Sequence, residues 1–150
     1  MRANSADKAD IPAKELRRIG GELLDRGITI RIAASGYSMF PAVRPGDIIH
    51  ISPLTEGAEL QPGDIVAIKR SDDFVVHRYM ATTEQDGKEV LLTRGDATLR
   101  YDPPAEWGHI AGIVTAIIRG KKRLEGPLRQ SVIRYRTNRI LAKIVMVLRG

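Results

Sequence analysis

Three residue types capable of nucleophilic hydrolysis occur in suggestive settings along this chain. Ser38 lies in Gly36-Tyr37-Ser38-Met39-Phe40-Pro41, directly after the alternating apolar run Ile28-Thr29-Ile30-Arg31-Ile32-Ala33. Gly36 and Pro41 suit a backbone that turns sharply at a strand exit. Such a turn can leave a hydroxyl and a backbone N–H facing a groove, as a nucleophile with an oxyanion hole requires. His77 stands inside an apolar strand, Phe74-Val75-Val76-His77-Arg78-Tyr79, and two carboxylates, Asp96 and Asp102, follow downstream. Serine, imidazole and carboxylate are the parts of a base-activated nucleophile. Each also has an ordinary reading, as a turn serine, a satisfied strand histidine and loop acids, and spacing alone does not choose between them.

The elements that must position these groups are mostly strands. Apolar alternation and turn residues predict strands over 28–34, 47–52, 64–69, 73–83, 89–94 and 108–118. Pro45-Gly46-Asp47-Ile48 and Pro62-Gly63-Asp64-Ile65 repeat one form. Both are expected to be type II turns, with glycine at the positive-φ position, rather than carboxylate sites. Asp86-Gly87 marks a hairpin. The fold class expected is mainly β, a small barrel or sandwich. An amphipathic N-terminal helix over 13–26 carries Leu16, Ile19, Leu23 and Leu24 on one face, is weakened by Gly20-Gly21, and stops at Gly27.

Composition narrows the chemistry. The 150 residues contain no cysteine, so disulfides, thiolate catalysis and cysteine-ligated zinc are excluded. His50, His77 and His109 have no metal-ligand spacing, and no cofactor is expected. The net charge of +6 is uneven: residues 119–150 hold ten Lys/Arg and one acid, against 14 basic and 17 acidic residues before them. That tail predicts a separate basic amphipathic helix over 127–150, following a domain of 13–126. The helix can cover the domain's own sheet edge, or meet an anionic membrane surface or partner. Nucleic acid ranks last among these. No secretory leader or spanning segment is visible, so the expectation is a cytoplasmic chain able to lie peripheral to a membrane.

The ordered boxes of this sequence resemble the signal peptidase I superfamily, which also includes the self-cleaving SOS and phage repressors. The matching stretches are Ser38-Met39-x-Pro41 with Arg44-Pro45-Gly46-Asp47, then Pro62-Gly63-Asp64-Ile65-Val66, then Val75-Val76-His77-Arg78. Leu91-Leu92-Thr93-Arg94-Gly95-Asp96 with Asp102, and Ala111-Gly112-Ile113-Val114, complete the series over roughly 28–118. The resemblance implies an all-β peptidase with Ser38 as nucleophile. It implies His77 as base, as in the branch that uses histidine where leader peptidases use lysine, with Asp102 orienting it and Asp96 in support. A histidine, with an unperturbed pKa near ~6.5, needs no extensive desolvation to serve as a base near neutrality. Gly36, Tyr37, Met39 and Phe40 are candidate substrate-groove residues, and an extended leader or signal-like peptide is the implied substrate. Gly36 replaces a serine present in many signal peptidases, and no anchor precedes Ser38, so the expectation is an anchor-less soluble version. Two other functions fit the same boxes: a non-catalytic peptide-binding or membrane-docking β domain, and a repressor-type self-cleaving peptidase.

Overall fold

The structure, a computed structural model, describes residues 13–54, 59–71, 73–125 and the single positions 128, 144, 147 and 148. It is mainly β. One helix, α1 (Ala13–Asp25), precedes β1 (Ile30–Ala33), β2 (Ile48–Pro53), β3 (Ile65–Arg70), β4 (Asp73–Gln85) and β5 (Lys88–Arg94). A short 3₁₀ helix (Trp107–His109) leads into β6 (Ile110–Arg119), which is followed by β7 (Lys122–Glu125). The strands form one antiparallel sheet in the order β1-β2-β6-β3-β4-β5, and β7 also pairs with β6. β3 and β7 both join β6, β3 through residues 110–113 and β7 through 116–119.

Both faces of this sheet are covered at its centre. On β3 the residues alternate between two cores: Ile65 and Ala67 join Leu24, Ile32, Ile51 and Phe74, whereas Val66 and Ile68 join Tyr79, Leu91 and Ile110. The two-residue side-chain period sends neighbours to opposite faces, so a fully apolar strand is one that is covered twice. The polar strand β7 was not legible in the sequence. Its residues, Lys122-Arg123-Leu124-Glu125, carry little apolar pattern, and pairing with β6 across the Gly120 turn makes them a strand.

The two Pro-Gly-Asp-Ile stretches build the same device. Gly46 and Gly63 have φ of 90° and 98°, as the third residue of a type II turn needs. The backbone N–H of Asp47 donates to Arg44 O and that of Asp64 to Gln61 O, each at 3.0 Å. The two carboxylates then accept from Arg44 N–H and Gln61 N–H, each at 2.8 Å. Asp47 is also paired bidentately by Arg119 of β6. These aspartates are turn fasteners. Asp86 and Gly87 both have positive φ, the requirement of a type I′ hairpin.

Helix α1 docks where its glycines allow it. Leu24 is buried and Leu16 and Leu23 pack against the same core. Gly27, at φ 81°, caps the helix, with the Ile28 N–H reaching back to Leu23 O at 3.0 Å. A Cβ at Gly20 would lie 2.6 Å from Cε1 of the fully buried Phe74, whereas one at Gly21 would meet only Lys69 methylenes at 3.6 Å. The close approach on β4 therefore depends on Gly20. Gly20→Ala is expected to lower stability by about 1–3 kcal/mol through overpacking, despite its gain in helix propensity. Gly21→Ala is expected to raise it by up to about 1 kcal/mol. Thermal melts of the two variants read opposite signs.

The basic helix expected over 127–150 falls almost entirely outside the described residues. Ile144, Val147 and Leu148 are helical and exposed. No helix among the described residues is long and apolar enough to cross a membrane.

Candidate active site

His77 sits where β4 changes partners. Residues 73–78 pair with β3 along one edge, and β5 begins to pair along the other only at Arg78. Among the described residues no strand therefore pairs the second edge beside His77, and the loop that follows β5 fills part of the gap. That loop delivers Asp102, whose Oδ2 lies 2.7 Å from His77 Nδ1. A carboxylate can only accept, so the proton of this pair belongs on Nδ1, and Nε2 is left with its lone pair. Thr93 Oγ1 donates to the same Oδ2 at 2.7 Å, and Asp102 N–H donates to Thr93 O at 2.9 Å. Both partners of Asp102 are buried.

Nε2 lies beside Gly95, which the Ser38 carbonyl also approaches. A Cβ built on Gly95 would lie 2.6 Å from the Ser38 carbonyl oxygen and 3.1 Å from His77 Nε2. Those two atoms are thus no further apart than the two distances combined. The Ser38 carbonyl also accepts from Ala97 N–H at 2.9 Å. The Ser38 N–H makes no hydrogen bond among the described residues. A serine backbone, an imidazole and a carboxylate separated by dozens of residues in sequence thus meet at one place.

Asp96 does not face His77. Its two oxygens take Arg78 Nε and Nη2 at 2.8 and 2.7 Å, and both side chains are buried. Arg78 Nη1 donates further to Gly63 O at 2.6 Å and Leu128 O at 3.1 Å. Asp96 supports the site at one remove: its clamp fixes the Gly95–Ala97 loop that touches Ser38.

The other proposed groove residues divide. Gly36 and Met39 line a cleft of about 200 Å³, with Ser38, Arg17, Ala34, Ser35, Val43, Ile49, Val75 and Val76. Met39 is at the same time a buried member of the core. Tyr37 and Phe40 lie outside that lining. Their rings sit 5.9 Å apart, and the Arg44 guanidinium lies 5.6 Å from the Phe40 ring centroid. Apolar rings flanking a turn found each other rather than the cleft.

Two contributors escaped the sequence reading. Thr93 had a legible signal, since it is a polar residue at an inward position of the strand Val90-Leu91-Leu92-Thr93. Arg17 had none, because only docking of α1 brings it to the cleft. The remaining histidines are elsewhere. His109 accepts the Glu106 N–H at 3.2 Å at the 3₁₀ turn. The pKa of His50 is lowered by burial first, then by the nearby Arg31 and Arg123 charges, with Glu125 opposing. Among the described residues no three His, Asp or Glu side chains converge to hold a metal.

Compared with known proteins, the chain is similar to signal peptidase I W of Bacillus subtilis. The two are 33% identical over 87 residues, which is 57% of this chain and 45% of the relative. The chain thus spans less than half the length of the curated relative it matches. No family model matches the chain, and no solved structure matches it.

Proposed function

We propose that this protein is a serine peptidase of the signal peptidase I type that cleaves extended peptides, with Ser38 as nucleophile, His77 as general base and Asp102 holding the imidazole. The observation that supports this reading is the 2.7 Å Asp102–His77 Nδ1 contact, with Nε2 beside the same Gly95 that the Ser38 carbonyl approaches. In the first step Ser38 Oγ bonds to the scissile carbonyl carbon as its proton passes to Nε2. The imidazolium then returns that proton to the leaving amine as the C–N bond breaks. A water molecule, deprotonated by Nε2, releases the acyl group and restores Ser38. The Ser38 N–H, without a partner among the described residues, is suited to the developing oxyanion.

An extended substrate is supported by the cleft's open backbone edges. Val76 carries its N–H and C=O on the side of β4 that, among the described residues, no strand pairs until Arg78. A peptide added there gains main-chain hydrogen bonds, as in β-strand addition. The pocket's volume and its Met39, Val43, Ile49 and Val75 lining suit one small apolar side chain. A leader or signal-like segment with small residues before the scissile bond fits that lining.

The test compares cleavage of such peptides by the wild type, Ser38→Ala and His77→Ala. Each variant is expected to lose at least about 10³-fold in kcat. Equal cleavage by all three proteins would falsify the assignment. Binding of the peptides without product from the wild type would instead leave a peptide-binding domain.

A further inference from the structure

We propose that Arg17 of the N-terminal helix selects an acidic side chain in the bound peptide, about three residues from the scissile bond; this rests on the peptidase reading above. Among the described residues lining the cleft that also contains Ser38, Arg17 is the one that carries a charge. Every other described residue along that lining is apolar or neutral, so Arg17 is the described side chain from which a charge preference of the cleft can come.

The guanidinium is held in place before any peptide arrives. Nε lies 3.1 Å from Asp73 Oδ1, Nη2 donates to Phe74 O at 3.0 Å, and Cζ stands 5.2 Å from the Phe74 ring centroid. Nη1 makes no hydrogen bond among the described residues. A planar fork fixed in this way can take a second carboxylate with little further loss of side-chain entropy. Asp73 attenuates the charge without cancelling it, because its side chain is 53% exposed and screened while that of Arg17 is only 27% exposed. Asp73 is also absent from the cleft lining.

Position follows from the strand. Phe74 precedes His77 by three residues on β4, which at a strand rise of ~3.3 Å places the Arg17 contact about 10 Å from the base. Phe74 and Val76 share one edge of β4 by the two-residue period. The Phe74 carbonyl, which a longer peptide strand would use, is already taken by Arg17. The helix therefore ends the pairing edge and puts a cation where the peptide leaves it.

The experiment uses the full chain and a set of fluorogenic peptides that differ at one residue, Glu, Gln or Lys, walked through the positions on both sides of the scissile bond. At one register the wild type is expected to favour Glu over Lys by about tenfold or more in kcat/KM, and the ratio should shrink with added salt. Arg17→Ala is expected to abolish the ratio and Arg17→Glu to reverse it. Asp73→Asn, which leaves Arg17 in place, should enlarge it. Equal cleavage of Glu and Lys peptides by the wild type, or a ratio that survives Arg17→Ala, overturns the proposal. Fluorescence anisotropy of the same peptides on Ser38→Ala separates the two readings. If nothing is cleaved but the Glu peptide binds tighter through Arg17, catalysis fails and charge selection stands; if no peptide binds, this proposal fails as well.

Discussion

In peptide-cleavage assays, Asp102→Ala and Asp102→Asn are both expected to lower kcat by about 10³–10⁴-fold. Both effects follow from one atom. A single carboxylate oxygen, Oδ2, accepts from both His77 Nδ1 and Thr93 Oγ1 at 2.7 Å. An asparagine amide can turn its NH2 toward Nδ1 and donate to the ring, which leaves the proton on Nε2, the atom that must take the Ser38 proton. It also loses the negative charge that stabilises the imidazolium formed as Ser38 attacks. Charge-assisted hydrogen bonds are roughly twice as strong as neutral ones, and each 1.4 kcal/mol is about tenfold in rate. Alanine removes both contributions and leaves Thr93 and His77 without a common partner. Steady-state kinetics of the two variants settles the matter. A loss of only about tenfold in the asparagine variant would mean that the amide oxygen keeps the proton on Nδ1 and would refute the tautomer account.

The second large effect is on folding. Asp96→Asn or Arg78→Met is expected to cost about 3–5 kcal/mol, because either change leaves its partner's charge buried and unpaired. For a chain of this size that corresponds to a fall in Tm on the order of 10 °C. Arg78 also serves the carbonyls of Gly63 and Leu128, so its loss leaves two further acceptors without that donor. The double variant Arg78→Met with Asp96→Leu is expected to regain a good part of the stability, since an apolar pair of similar volume carries no buried charge. It should not regain activity in the same proportion. Asp96 lies between Gly95, whose missing side chain leaves room for Ser38 O and His77 Nε2, and Ala97, which donates to Ser38 O. Comparing thermal melts with peptide cleavage across the three variants separates the stabilising role of the clamp from its positioning role. A single variant as stable as the wild type would refute the buried-charge account.

Arg78 immediately follows His77 in the sequence, and by the period of a strand the two side chains leave β4 on opposite faces. One face presents the imidazole to Asp102, and the other drives the guanidinium into Asp96. Both partners come from the same connection after β5. A single crossing of that loop therefore serves the reacting groups and the clamp that steadies them.

Much of this was already carried by local chemistry. Apolar alternation marks the strands from Ile30 to Ile117, because a half-buried pleat needs it, and the mainly-β class follows. Pro-Gly-Asp-Ile fixes two turns by φ preference and by a carboxylate reaching back three residues, which are interactions within four positions of chain. Ser38, His77 and the two aspartates could be named as candidates by type. Which carboxylate meets the imidazole could not be read from residue type or spacing; the family resemblance alone favoured Asp102. Asp96 and Asp102 are six residues apart in one loop, and their assignment depends on the curl of that loop over an edge of β4 that β5 leaves open. The same holds for Thr93 beneath Asp102, for β7 along β6, for Phe74 against Gly20 and for Arg17 at the cleft. A strand's period says which face a side chain takes, but its neighbours across the sheet are set by non-local pairing, and only the folded chain decides those.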